Sequence, residues 1–189
     1  MMEKRYEEHA HVLDFLPHGR PGMRVQGRAG YRAGALVQLV GEEFFTLLEA
    51  LVKDDATLKP HDRVYVGKES REEITYIIGR IGYEELTATA KMELPTAINN
   101  IVLSRERWFV DFFNNARAIT PRMHALELIP GIGKKYMWQV INERERKPFT
   151  SYEDLQKRTE LPSPVKLITK RILEELGGEG KYRLFTRAQ

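Results

Sequence analysis

The sequence predicts an α+β chain: a small β-barrel, then a long linking helix, then an all-α domain of two paired helical hairpins. Three observations predict it. Apolar runs of strand length cluster before residue 91, a dense aromatic run follows Pro95, and beyond Thr120 apolar residues recur at helical spacing around Gly- and Pro-bearing turns. The expected division is 1–115 for the barrel with its linking helix and 116–189 for the helical domain with a basic tail.

Strand candidates are His9 to Leu16, Ala35 to Val40, Arg63 to Val66, Glu73 to Ile81 and Glu85 to Ala90. Between the second and third lies GEEFFTLLEALVK, where Phe44, Leu47, Leu48 and Leu51 follow i, i+3, i+4, i+7 and predict a helix inserted among the strands. Five strands around a mid-chain helix fit a compact OB-like barrel. Pro95 is expected to open the linking helix, which runs to about Phe113 with Ile98, Ile101, Val102, Trp108, Phe109, Phe112 and Phe113 inward, so Trp108 is read as core. Thr120-Pro121 reads as an N-cap and first helical turn, leaving Asn114 to Ile119 as the hinge.

Composition narrows the chemistry. In 189 residues there is no cysteine, which removes disulfides, thiolate zinc sites, iron–sulfur clusters and cysteine nucleophiles together. With 42% hydrophobic and 30% charged residues the chain has the apolar surface to fold. No apolar run approaches the ~18 residues of a membrane helix, and the acid-bearing start MMEKRYEEHAH is unlike a signal peptide, so a cytoplasmic protein with no membrane partner is expected. Charge is uneven: residues 1–90 carry 12 basic against 15 acidic side chains, 91–115 carry 3 and 3, and 116–189 carry 15 and 9. A basic excess in the last segment points to a polyanionic partner.

The strongest motif lies in that segment. A short helix is expected over Pro121 to Ile129 with Met123, Leu126 and Ile129 inward, then Pro130-Gly131-Ile132-Gly133-Lys134-Lys135, then a helix through Tyr136, Met137, Val140 and Ile141. Glycines on either side of Ile132 permit positive φ and close approach while the isoleucine plugs the hairpin. The amides of Gly131, Gly133 and Lys134 then sit at a helix N-terminus, where free donors and the dipole favour phosphate. Lys134 and Lys135 add charge there. Further on, Thr150 and Glu153 predict a capping box with Phe149 as its staple, and Leu161-Pro162-Ser163-Pro164 forms the turn of a second hairpin. A proline-rich turn offers fewer donors, so only Lys166, Lys170 and Arg171 are candidate auxiliary contacts.

The stretch LELIPGIGKK resembles the helix-hairpin-helix family, whose turn of two glycines around an apolar residue grips nucleic-acid backbone without reading bases. The likeness runs from about Thr120 to Gly177. Over the whole chain, the order of strands, aromatic helix, PGIGKK hairpin and KYRLF tail resembles an uncharacterised archaeal family described as RNA-binding or nucleotide-binding, with an OB-like N-terminal part and this hairpin domain. That description implies RNA slightly ahead of DNA.

Other segments carry less. PHGRPGMRVQGRAGYRAG holds Arg20, Arg24, Arg28 and Arg32 with five glycines and no acid, a basic loop able to order on phosphates. Lys181, Arg183 and Arg187 in the tail could extend the basic surface while Tyr182, Leu184 and Phe185 dock it. His9 and His11 share a strand face near Asp14 and His18, yet lack the surrounding ligand context of a metal site, so no metal or cofactor is expected. Adjacent acid pairs diverge along helix or strand, and neither a GxxxxGKS/T loop nor a GxSxG elbow occurs. The expected function is non-catalytic, largely sequence-independent nucleic-acid binding. A metal-dependent nuclease, a nucleotide-handling enzyme and a protein scaffold are the alternatives.

Overall fold

The computed structural model describes residues 6–20 and 34–187. Two compact units divide within the first long helix: one holds residues 1–97 and 185–189, the other 98–184.

In the first unit, β1 (His9–Leu16), β2 (Leu36–Gly41), β3 (Leu47–Val52), β4 (Arg63–Tyr65) and β5 (Ile74–Arg80) form one antiparallel sheet in the order β4-β1-β2-β3-β5. The sheet is curled, with irregular register in β1 and twice along the β3–β5 pair, where bulges bend a strand. Among the described residues β4 and β5 remain its edges, so the expected barrel is present as an open half-barrel. Val12, Val37, Leu39, Ala50, Val52, Val64 and Ile74 pack into its core.

The strand count matches the expectation while two identities are exchanged. The predicted helix in GEEFFTLLEALVK is instead a turn and β3, hydrogen-bonded to β2 on one side and β5 on the other, with Leu47, Leu48 and Ala50 all buried. A buried Glu7 carboxylate accepts the amides of Glu43 (2.8 Å), Phe44 (2.9 Å) and Thr46 (3.2 Å), holding this turn, where Phe45 takes φ of 55°. Gly41 is required there because a Cβ would run into the Glu7 side chain. The predicted strand Glu85 to Ala90 is instead a 3-10 turn (Tyr83–Glu85) and the start of α1 (Ala88–Ser104). Thr87 stops the strand by accepting the Ala90 amide through Oγ1 (3.0 Å), which is cap chemistry.

The linking helix also differs. It begins seven residues before Pro95, which lies exposed inside α1, and it breaks at Arg105 before α2 (Glu106–Asn115). Phe109 and Phe113 are buried, as read from the stripe; Val110, which the stripe did not include, is buried too, and Phe112 is half-buried. Trp108 is not core: it is 45% exposed, because one residue along a helix turns ~100° away from Phe109, and the Arg105 guanidinium lies 4.9 Å from its ring.

The second unit continues through β6 (Ala118–Thr120), β7 (Met123–His124), a 3-10 turn (Ala125–Leu128), α3 (Lys134–Arg146), α4 (Tyr152–Arg158) and α5 (Pro164–Leu176). The expected hinge 114–119 belongs wholly to this unit. Asn114 clasps the Phe149 backbone by two hydrogen bonds (2.8 and 2.9 Å), and Tyr152 Oη donates to Val102 O (2.6 Å). Burial raises the Tyr152 phenol well above its usual range, so this donor keeps its proton.

Candidate functional site

The approach to the PGIGKK turn is not the predicted helix. Thr120, Pro121 and Arg122 make a tight turn between β6 and β7, with Thr120 Oγ1 accepting the Arg122 amide (3.3 Å), so the expected N-cap closes a β-hairpin. His124 then starts the 3-10 turn. Its Nδ1 accepts from Leu126 N (3.1 Å), while the Glu127 carboxylate accepts from His124 N (2.8 Å). Burial above all, with the Arg144 charge next, lowers the His124 pKa below 6.5, keeping Nδ1 an acceptor.

Ile129 and Ile132 are buried, and Ile132 N donates back to Ile129 O (3.0 Å) across Pro130-Gly131. Proline second and a positive-φ residue third is the signature of a type II turn. Gly131 has φ of 91°, and a Cβ there would meet Leu167 Cδ2 of α5 at 2.9 Å, so glycine is needed twice over. Gly133 differs: its backbone is extended, and a Cβ would have no atom within 4 Å. That side of the turn is open.

Gly133 is also the N-cap of α3 and has no side chain to satisfy the first-turn amides. Its neighbours are finished differently. Ser151 Oγ accepts from Asp154 N at α4 (2.9 Å), and Ser163 Oγ accepts from Lys166 N at α5 (3.5 Å). The α4 N-cap is thereby Ser151, one residue beyond the expected Thr150, and the Asp154 carboxylate accepts the Thr150 amide (3.0 Å) in place of the expected Glu153 box. Phe149 is buried, but with Ser151 as the cap it lies two residues before it, one short of the staple position.

Lys134 and Lys135 are exposed, and each meets an acid: Lys134 Nζ lies 2.9 Å from Glu127 and Lys135 Nζ 2.6 Å from Glu160. The lysines hold both carboxylates below their usual range, and Glu160 raises Lys135 above its own. Ion pairs this exposed are weak in water and open to exchange with another anion.

The α5 cations separate into two kinds. Lys166 and Lys170 are exposed and flank Leu167, the residue against Gly131, with Lys170 three positions on and so adjacent on the helix surface. Arg171 is 6% exposed and not a contact residue. Its guanidinium donates to Glu175 (2.9 Å), Leu128 O (3.0 Å) and Tyr182 O (2.5 Å), tying α5 to the residue before the turn and to the tail. Arg183 is similarly used, donating to Glu175 O (3.1 Å).

Arg20 is likewise engaged, in an ion pair with Glu49 and a hydrogen bond to Glu85 O (2.8 Å). It covers a polar row in which Asp14, Gln38 and Glu49 stand opposite one another on β1, β2 and β3. Gln38 donates to Glu49 (2.9 Å), and Asp14 accepts from Thr87 Oγ1 (2.6 Å). Arg24, Arg28 and Arg32 lie outside the described residues. His11 donates its ring to the Glu42 carboxylate (2.8 Å), which Arg63 also grips, and these partners outweigh burial to hold Glu42 down at about 2. Arg187 of the tail lies 3.5 Å from the centre of the Phe44 ring in the first unit.

Sequence reasoning missed Trp138. It lies on α3 one turn beyond Lys134 and is 55% exposed, off the stripe through Met137 and Val140. That offset was the available signal.

A family model described as "protein of unknown function (DUF655)" matches residues 6–187. The uncharacterised protein MJ0038 of Methanocaldococcus jannaschii is 41% identical over 186 residues, 97% of this chain and 82% of that protein. The crystal structure of Af1531 from Archaeoglobus fulgidus, assigned to the same family, matches 96% of this chain and 100% of its own, with a TM-score of 0.84 at 45% identity. Both relatives are archaeal, and with the match spanning almost every residue the chain belongs to the DUF655 family.

Proposed function

We propose that this protein is a non-catalytic nucleic-acid-binding protein that holds the sugar–phosphate backbone at the 131–135 turn, largely without regard to sequence. One observation carries the reading: α3 alone among the three helices α3, α4 and α5 starts from a residue with no capping side chain, and does so at an open glycine beside Lys134 and Lys135. Uncapped amides and a positive dipole end are a phosphate receptor, and two lysines reinforce it. Lys166 and Lys170 continue the charge on α5. Backbone contacts of this kind position a strand but do not read base edges. The reading includes the helix-hairpin-helix likeness, with the 129–133 and 161–164 turns as its two hairpins, and an OB-like origin for the half-barrel. RNA is the preferred polymer by the family likeness.

The test is a titration of the full chain with duplex DNA, duplex RNA and single strands at two salt concentrations. Replacing Lys134 and Lys135 by Ala should weaken binding evenly across sequences. It should also flatten the salt slope by roughly 0.9 per lost phosphate contact on duplex DNA, or about 0.7 on single strands. An unchanged slope overturns the reading.

A further inference from the structure

We infer that the polymer held at this turn is single-stranded and that the Trp138 indole stacks on one of its unpaired bases. The inference rests on the phosphate-gripping role of the 131–135 turn and adds a second recognition element to it.

Trp138 is 55% exposed, and among the described residues no hydrogen bond or ring contact engages it. Tryptophan offers one of the largest apolar surfaces of any side chain, so leaving more than half in water forgoes stabilisation that burial would supply. The other tryptophan differs, because the Arg105 guanidinium already lies over Trp108. Position 138 follows Lys134 by four residues and Lys135 by three, so ring and ammonium groups share one stretch of helix surface. Four residues advance ~6 Å along the axis, which is the scale of one nucleotide. The same stretch continues through Ile141 and Asn142; the acids that border it are Glu127 and Glu160, paired with Lys134 and Lys135, and Glu145 one turn beyond Ile141.

That combination selects its occupant. In a duplex both faces of an internal base are covered by its neighbours, and a ring beside a gripped phosphate finds only sugar and base edges. An unpaired base offers a free π-face, and any of the bases can supply it. A strand whose phosphate meets the 133–135 amides can lay the adjoining base on Trp138, with Lys134 and Lys135 neutralising the backbone between them.

The experiment uses the full chain carrying Trp108→Phe, which leaves Trp138 as the only indole of the two in the sequence. Its emission is followed during titration with a mixed-sequence single-stranded RNA, the matching DNA and a blunt duplex. Anisotropy of labelled strands gives affinities for Trp138→Ala and Trp138→Phe. Quenching by either single strand, with Trp138→Ala weakening single-strand binding roughly ten-fold and Trp138→Phe restoring most of it, supports the inference. Duplex affinity and the salt slope should stay unchanged in Trp138→Ala, since no charge is lost. Equal loss on duplex and single strand, or no loss on either while Lys134 and Lys135 still set the slope, overturns the stacking role alone. Absence of polyanion binding by the parent chain overturns the phosphate grip with it.

Discussion

Arg171 shows what one buried cation does here. Its three fork positions are taken by Glu175 and by the carbonyls of Leu128 and Tyr182, so the residue just before the turn is fixed by α5. Glu175 is 1% exposed and also accepts the Leu184 amide (3.1 Å), so removing Arg171 withdraws an ion pair from a buried carboxylate. Arg171→Ala should therefore cost about 3–5 kcal/mol, read as a lowered denaturation midpoint in urea. Arg171→Lys, which keeps the charge and loses the fork, should fall between. A variant as stable as the parent would show the network to be idle. In sequence Arg171 is indistinguishable from its exposed neighbour Lys170. Their difference is one step around a helix, about 100°, and it became readable only once α5 had something to pack against.

At the scale of elements, the 3-10 turn before PGIGKK depends on a neutral histidine. His124 has a pKa below 6.5 when folded, so the folded state binds fewer protons than the unfolded chain on acidification. Its contribution is complete above 6.5 and is lost as pH falls through the lower folded value, when Nδ1 gains a proton and can no longer accept from Leu126 N. Thermal unfolding midpoints of the parent should drop faster between pH 7 and about 5 than those of His124→Asn, whose amide oxygen can accept without titrating. Parallel curves would contradict this role. The same scale explains the two exchanged elements in the first unit. The stripe in GEEFFTLLEALVK satisfies helical spacing, and short apolar runs do not distinguish helix from buried strand by periodicity. The contest was settled by Glu7 gripping the turn amides and by strands on both sides of β3. Serine caps on α4 and α5, by contrast, act within three residues, and the sequence reading erred there by only one position at α4.

Over the whole molecule, the basic excess of residues 116–189 is tempered at the turn by Glu127 and Glu160. If Lys135 meets phosphate, Glu160 competes with that phosphate. Glu160→Gln should raise affinity for a polyanion a few-fold at low salt, with the gain shrinking near 0.15 M where screening length is about 8 Å. Unchanged affinity at low salt would remove Lys135 from the contact set. The sequence by itself determined the segregation of charge, the Pro-Gly turn with its buried Ile132 and most strand positions, because these follow from composition or from interactions a few residues long. Tertiary structure alone decided that β3 is a strand, that Thr120-Pro121 turns a β-hairpin and that Arg171 is buried. Each of those outcomes depends on partners distant in sequence, such as Glu7 for residues 43–46 and Arg171 for Leu128, whose free energies outweigh local preference and leave no mark on it.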